Sequence, residues 1–169
     1  MILDTTEFAP YYKPYIDKTL NYTSVLDGLK QNKNEVGLFF ENLPKDKLEF
    51  SYAAGKWTPK DILLHLIDAE RIFTYRALRI SRNDKTELPG FEEDDYVIEA
   101  NANNRELKDL LLEFETVRSA TVSLYSTLSD IQMMRMGKAS SCDVSVRALA
   151  YMTLGHYLHH MQIIKERYL

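Results

Sequence analysis

The chain lacks the residues and patterns that mark several large classes of protein. Cys142 is the only cysteine in 169 residues, which excludes an internal disulfide framework or a cysteine-rich zinc module and fits a reducing compartment. The formal net charge of -4 leaves no basic stripe for a phosphate backbone. The N-terminus lacks the layout of a signal peptide, and no apolar run reaches the roughly 20 residues that span a bilayer. We therefore expect a cytoplasmic protein that binds neither nucleic acid nor a membrane.

What the sequence has instead is four amphipathic segments. The 45% of hydrophobic residues is enough for one continuous core, so we expect a single domain over residues 1–169. Within each segment, apolar residues recur at the spacing of a helix, and no convincing alternating strand is present. This pattern predicts an all-α four-helix bundle with long inter-helix connections, which leave room for crossovers. The predicted helices cover residues 24–42, 58–82, 105–128 and 144–168.

The connections between these helices are long and polar. Residues 83–104 contain Pro89, Gly90 and an acidic run, and we expect a long loop that can include one short helix, of a length that often carries function. Residues 129–143 form a second polar stretch. Residues 7–22 are rich in tyrosine and form either a short extra helix on the bundle or part of a dimer surface. Because an exposed aromatic surface favours association, we expect a homodimer.

All four histidines fall within two of the predicted helices. His156 and His160 form an H-x-x-x-H pair, which places both imidazoles on one helix face, about 6 Å apart along the axis. His65 lies in an apolar stretch, where an imidazole is costly to bury without a partner. We predict that these three bind one metal ion and leave coordination positions open, as in catalytic sites. His159 lies on a shifted face, so we expect it to support the site or to face solvent.

The sequence does not reveal a general base. A tyrosine follows the first histidine of the pair, so the glutamate of H-E-x-x-H is missing and a zincin-type protease is disfavoured. Asp61 and Asp68 lie four before and three after His65 and are candidate catalytic residues. Asp61 also fits a capping box, and Asp68 a solvated or salt-bridged role. Arg118 is a third candidate, because it can either pair with a carboxylate of the long loop or bind an anionic substrate.

Four motifs follow one another along the chain, and together they are more specific than any one alone. They are GKWTPKDILLHL at 55–66, LPGFEE at 88–93, VRSAT at 117–121 and GHYLHHMQI at 155–163. This ordered set resembles the DinB-like superfamily, specifically its YfiT-like metal-dependent hydrolases. The resemblance covers nearly the whole chain from about Ser24.

The resemblance implies a four-helix bundle that binds a divalent metal through His65, His156 and His160. Imidazole alone suits zinc, nickel, copper and iron(II) alike, whereas the resemblance implies nickel or zinc. His159 matches a position that is not generally a ligand in the family. Members of the superfamily include S-transferases and isomerases that use a metal to activate a low-molecular-weight thiol.

Three functional interpretations follow from these patterns. In the first, the metal activates water or a small thiol, and the protein is a hydrolase or a thiol S-transferase acting on a small-molecule substrate. In the second, the protein is a non-enzymatic metal-binding or stress-related interaction module whose aromatic N-terminal segment binds a partner. In the third, the histidines are hydrogen-bonded core residues that bind no metal.

Overall fold

The computed structural model describes residues 3–169 and confirms the all-α four-helix bundle. Each of the four long helices lies within two residues of its predicted ends. From the N-terminus, the helices are α1 (Lys13–Asp17), α2 (Val25–Glu41), α3 (Pro59–Ser81), α4 (Glu93–Ala100), α5 (Leu107–Ser126), α6 (Asp130–Met133) and α7 (Val146–Arg167). A hairpin of β1 (Met136–Ala139) and β2 (Cys142–Ser145) precedes α7.

Local sequence fixes where the helices that carry histidines begin. The Thr58 hydroxyl caps α3 by accepting a hydrogen bond from the amide of Asp61, and the Asp61 carboxylate accepts from the amide of Thr58. Pro59 at the first helical position has no amide hydrogen that would need a partner. The Ser145 hydroxyl caps α7 in the same way, through the amide of Ala148. These caps set the starting point from which each histidine is placed along its helix.

The four long helices are not arranged in simple sequential order around the bundle. Both α2 and α3 pack against α5 and α7, so α2 and α3 occupy opposite corners. The connection from α2 to α3 and the connection from α5 to α7 therefore cross the bundle diagonally, as the long connections allow. Because of this order, α3 and α7 are direct neighbours, and these two helices carry all four histidines.

The hairpin was not predicted. We expected a polar stretch over residues 129–143, but residues 136–145 form two antiparallel strands joined at Ser140 and Ser141. Both serines have a positive φ, as a tight two-residue hairpin turn requires. Glycine or asparagine usually occupies such positions, so serine gave no hairpin signal. Leu88 also bonds to this hairpin, since its amide donates to Lys138 and its carbonyl accepts from Ser140.

The remaining segments match the expectations in part. The loop over residues 83–104 contains the short helix α4, which packs against α3, and a turn of 3-10 helix at Ala102–Asn104. The tyrosine-rich segment forms the short helix α1, which packs against α7. Within residues 3–169, no helix has the length and apolar character needed to cross a membrane.

Candidate metal centre

The fold brings together the three histidines predicted to bind metal. The Nε2 atom of His156 lies 3.1 Å from Nε2 of His65 and 3.1 Å from Nε2 of His160. One ring nitrogen from each histidine lies within 4.8 Å of the other two. His65 comes from α3, and the pair comes from adjacent turns of α7, so the packing of two neighbouring helices creates the cluster.

The donor set fits a metal ion better than it fits a hydrogen-bonded core. A neutral imidazole nitrogen has either one proton to donate or one lone pair to accept with. Nε2 of His156 could therefore form a full hydrogen bond with only one of its two neighbouring rings. A divalent ion accepts a lone pair from each ring. With zinc–nitrogen bonds of about 2.1 Å, tetrahedral coordination would place the ligand nitrogens about 3.4 Å apart. The two distances of 3.1 Å from Nε2 of His156 are close to that value.

Burial keeps these imidazoles uncharged. It lowers the pKa of His65 to about 4 and, with the neighbouring His65 and His159, the pKa of His160 to about 3. For His156, burial and the three other imidazoles hold the pKa well below its ordinary value. At neutral pH all three rings are therefore uncharged, and each has one nitrogen lone pair available for a cation.

Trp57 forms one wall of the cluster. Its ring lies 4.7 Å from the ring of His65 and stacks on His160 at 6.4 Å, measured between centroids. Because Trp57 directly precedes the Thr58 cap, the start of α3 fixes the indole as well as the helix. The indole covers two of the three candidate ligands and limits their exposure to water.

Tyr15 of α1 forms the opposite wall. Its ring lies 5.3 Å from that of His156 and 4.9 Å from that of His159. The main chain at Tyr15 approaches α7 at Gly155, where a Cβ atom would overlap the Tyr15 carbonyl group. Glycine at this position therefore allows α1 to contact the histidine helix. His159 packs against Tyr15 and lies outside the cluster of His65, His156 and His160.

A cavity of about 210 Å³ opens beside the three histidines. Its walls are mainly aromatic, and its charged lining residues are Arg76 of α3 and Glu93 of α4. We did not predict Tyr15, Arg76 or Glu93 as part of the site. A signal for Arg76 was present, because it follows His65 by three helical turns and shares its face of α3.

Asp61 and Asp68 are engaged by other side chains. The Asp61 carboxylate accepts from Thr58 in the capping box and from the side-chain amide of Asn103, at 3.2 Å. Its predicted capping role is confirmed. Asp68 pairs with Arg71 at 3.2 Å, and its pKa is raised because burial outweighs the attraction of that arginine. The salt-bridged role considered for Asp68 is therefore present.

Arg118 is a buried structural residue with a partner that we did not predict. Its Nε and Nη2 atoms bond to the two carboxylate oxygens of Glu70 at 2.8 and 3.0 Å, and its exposed fraction is 0%. Nη1 donates to the carbonyl of Leu29 and the side chain of Asn32. The prediction of a partner in the long loop is wrong, because Glu70 lies on α3. This bidentate pair joins α2, α3 and α5 away from the cavity.

Comparison with known proteins supports the assignment to a family. In Bacillus subtilis, YfiT is described as a probable metal-dependent hydrolase with an unusual four-helix bundle topology. Its structure matches with a TM-score of 0.74 and 18% identity, over 95% of this chain and 91% of that chain. The DinB-like protein YjoA, also from Bacillus subtilis, matches with a TM-score of 0.58 and 18% identity, over 84% and 87%.

At this identity the structural likeness establishes the fold alone. No curated protein matches the sequence significantly. The model of the DinB superfamily, however, matches residues 29–164, which is most of the chain. This protein therefore belongs to the DinB superfamily.

Proposed function

We propose that this protein is a metal-dependent hydrolase of a small-molecule substrate, with His65, His156 and His160 as the metal ligands. The observation that carries the proposal is the convergence of three uncharged imidazoles at the wall of one cavity. A bound divalent ion supplies Lewis acidity, which generates a nucleophile at neutral pH. Zinc and nickel both suit a site of three imidazoles.

The chain's own residues hold and enclose this site. Trp57 and Tyr15 pack against the ligand rings, so they limit rotation of the imidazoles and keep bulk water from the donor atoms. Phe73, whose ring lies 6.2 Å from that of His156, adds an apolar wall. We propose structural roles for Asp61, Asp68 and Arg118, because their side chains already have partners.

We favour hydrolysis over thiol transfer at this site. The cavity of about 210 Å³ beside the histidines is partly open to solvent, so water and a small substrate can both reach them. The description of YfiT as a probable metal-dependent hydrolase agrees with this choice.

Metal content and turnover together test the proposal. Protein purified without a polyhistidine tag is expected to contain about one equivalent of zinc or nickel by elemental analysis. His156→Ala should lose the metal, whereas His159→Ala, the matched control, should retain it. The metal-loaded wild type should hydrolyse members of a panel of small esters and amides, and His156→Ala should not.

Two results would contradict it. Metal below about a tenth of an equivalent, not restored by added zinc or nickel, would exclude the site. Full metal occupancy without turnover of any ester or amide would exclude a hydrolase, and consumption of glutathione with electrophilic acceptors would then indicate thiol transfer.

A further inference from the structure

Arg76 is a buried cation without an acidic partner. Its exposed fraction is 3%, and among residues 3–169 no carboxylate lies within salt-bridge distance of its guanidinium. The contrast with Arg118 is direct, because that fully buried arginine is paired with Glu70. An uncompensated buried charge costs free energy of folding. An anion bound in the adjoining cavity would compensate the charge of Arg76 and recover part of that cost.

The guanidinium of Arg76 is held in place but only partly used. Its Nη2 atom donates to the carbonyl of Pro89 at 2.7 Å and to the hydroxyl of Ser140 at 3.0 Å. A guanidinium has five N–H donors, so the three on Nε and Nη1 are left without a protein acceptor among the described residues. The ring of Phe91, 5.9 Å from the guanidinium carbon, covers one side of the group.

The two acceptors belong to segments that main-chain hydrogen bonds join to each other. The main chain of Leu88 bonds to Lys138 and to Ser140, so the loop that contains Pro89 is tied to the hairpin turn. Arg76 is thereby fixed before any ligand binds, and preorganisation of this kind lowers the cost of binding.

Arg76 and the histidine cluster share one cavity. Arg76 lies three turns after His65 on the same face of α3, and both line the cavity of about 210 Å³. It is the only lysine or arginine among the lining residues described. A ligand with an anionic group at Arg76 would therefore direct its other end toward the three imidazoles.

We propose that Arg76 binds the carboxylate of a small carboxylate-bearing substrate and orients it toward the metal centre. The substrate role rests on the proposed function, whereas carboxylate binding itself does not. A carboxylate is favoured over a phosphate ester because Glu93 also lines the cavity. A doubly charged phosphate would be repelled more strongly by Glu93 and would have only the single charge of Arg76 to compensate it.

Trp57 allows a direct binding experiment with metal-free protein. It is the only tryptophan of the chain and lines the cavity, so its fluorescence reports occupancy. We would titrate the protein in chelator with benzoate, with the neutral isostere benzamide and with phenyl phosphate. Arg76 is the only lysine or arginine among the lining residues described, so it is the group expected to discriminate between the charged and the neutral ligand. Benzoate is expected to bind about tenfold or more tightly than benzamide.

Variants identify the residue that is responsible. Arg76→Gln should bring the ratio of the benzamide to the benzoate dissociation constant close to one, and Arg76→Lys should keep part of the preference for benzoate. Circular dichroism checks that both variants fold. Arg79→Gln removes the same charge from the next turn of α3, where the arginine pairs with Asp84 outside the cavity, and should leave the preference unchanged.

Several outcomes would overturn the inference. One is equal binding of benzoate and benzamide by the wild type. A second is tighter binding of phenyl phosphate than of benzoate. A third is an equal loss of the benzoate preference in Arg76→Gln and in Arg79→Gln. If the benzoate preference holds but the protein takes up no metal, only the proposed function fails. If one equivalent of metal binds and the preference is absent, only this inference fails.

Discussion

The carbonyl group of Tyr15 occupies the place where a side chain on Gly155 would begin. This close approach couples two parts of the chain, because Gly155 directly precedes His156 on α7 while Tyr15 packs its ring against the same histidine. The position of α1 over the candidate metal centre therefore depends on the absence of a single methyl group.

Gly155→Ala is expected to displace α1 from α7. The added methyl group meets main-chain atoms that cannot rotate away, so we expect a loss of about 1–3 kcal/mol in the free energy of unfolding, measured with urea. Gly37→Ala is the matched control, since it lies in helix α2 with open space around the new methyl group. That change should stabilise the protein by about 0.5–1 kcal/mol. Equal stability of Gly155→Ala and the wild type would show that α1 does not depend on this contact.

The buried pair of Arg118 and Glu70 should be sensitive to the loss of either partner. Glu70→Gln leaves a fully buried guanidinium uncompensated, and we expect it to cost about 3–5 kcal/mol in urea unfolding. Asp17→Asn breaks the exposed pair of Lys13 and Asp17 and should cost about 1 kcal/mol or less.

A double variant distinguishes the contribution of charge from that of packing at the Arg118–Glu70 pair. Glu70→Leu combined with Arg118→Met removes both charges, so it should recover much of the stability lost in Glu70→Gln. If Glu70→Gln costs no more than Asp17→Asn, then the buried pair is not a structural requirement of the bundle.

How far the sequence predicts this molecule depends on how local each feature is. The start of α3 was predictable because Thr58, Pro59 and Asp61 lie within four residues and act on one another. The same is true of His156 and His160, which one helical turn brings together. Helix ends and the ligand pair are thus encoded over short stretches.

Features that join distant segments were harder to predict. Arg118 and Glu70 are 48 residues apart, and on helical periodicity alone a loop carboxylate was an equally good partner. Tyr15 contacts His156 only because α1 folds back onto α7 at Gly155. The Ser140 and Ser141 turn was missed for a different reason, since its positive φ angles are imposed by strand pairing rather than by residues that prefer them.

Stability at acid pH should depend on Glu7. Burial raises the pKa of this carboxyl, but hydrogen bonds from Arg147, from the amide of Asp4 and from the hydroxyl of Ser145 outweigh it and hold the pKa below its ordinary value of 4.5. Because the folded-state pKa is the lower one, the stabilisation is complete above about pH 4.5 and is lost as the pH falls through the folded-state pKa.

Glu7→Gln tests this pH dependence. The variant should be less stable than the wild type near pH 6, and the two unfolding free energies should converge as the pH is lowered from 5 toward 3. Urea unfolding at a series of pH values measures both curves. A stability difference that stays constant over this range would show that Glu7 contributes by packing rather than by its charge.

Metal binding should raise the melting temperature through all three proposed ligands. A ligand that binds only the folded state at a hundred times its dissociation constant stabilises the protein by about 2.7 kcal/mol. For a chain of this size, that corresponds to a shift of roughly 5–10 °C in the midpoint of thermal unfolding. Differential scanning fluorimetry with added zinc measures the shift in metal-free protein.

The same measurement distinguishes the three proposed ligands from the neighbouring His159. His65→Ala and His160→Ala should each abolish most of the zinc-dependent shift, because either change leaves two imidazoles at the centre. His159→Ala should retain the shift, since that ring packs on Tyr15 and lies outside the cluster. An undiminished shift in His65→Ala would mean that zinc binds through α7 alone, and the contact between α3 and α7 would then serve packing rather than metal binding.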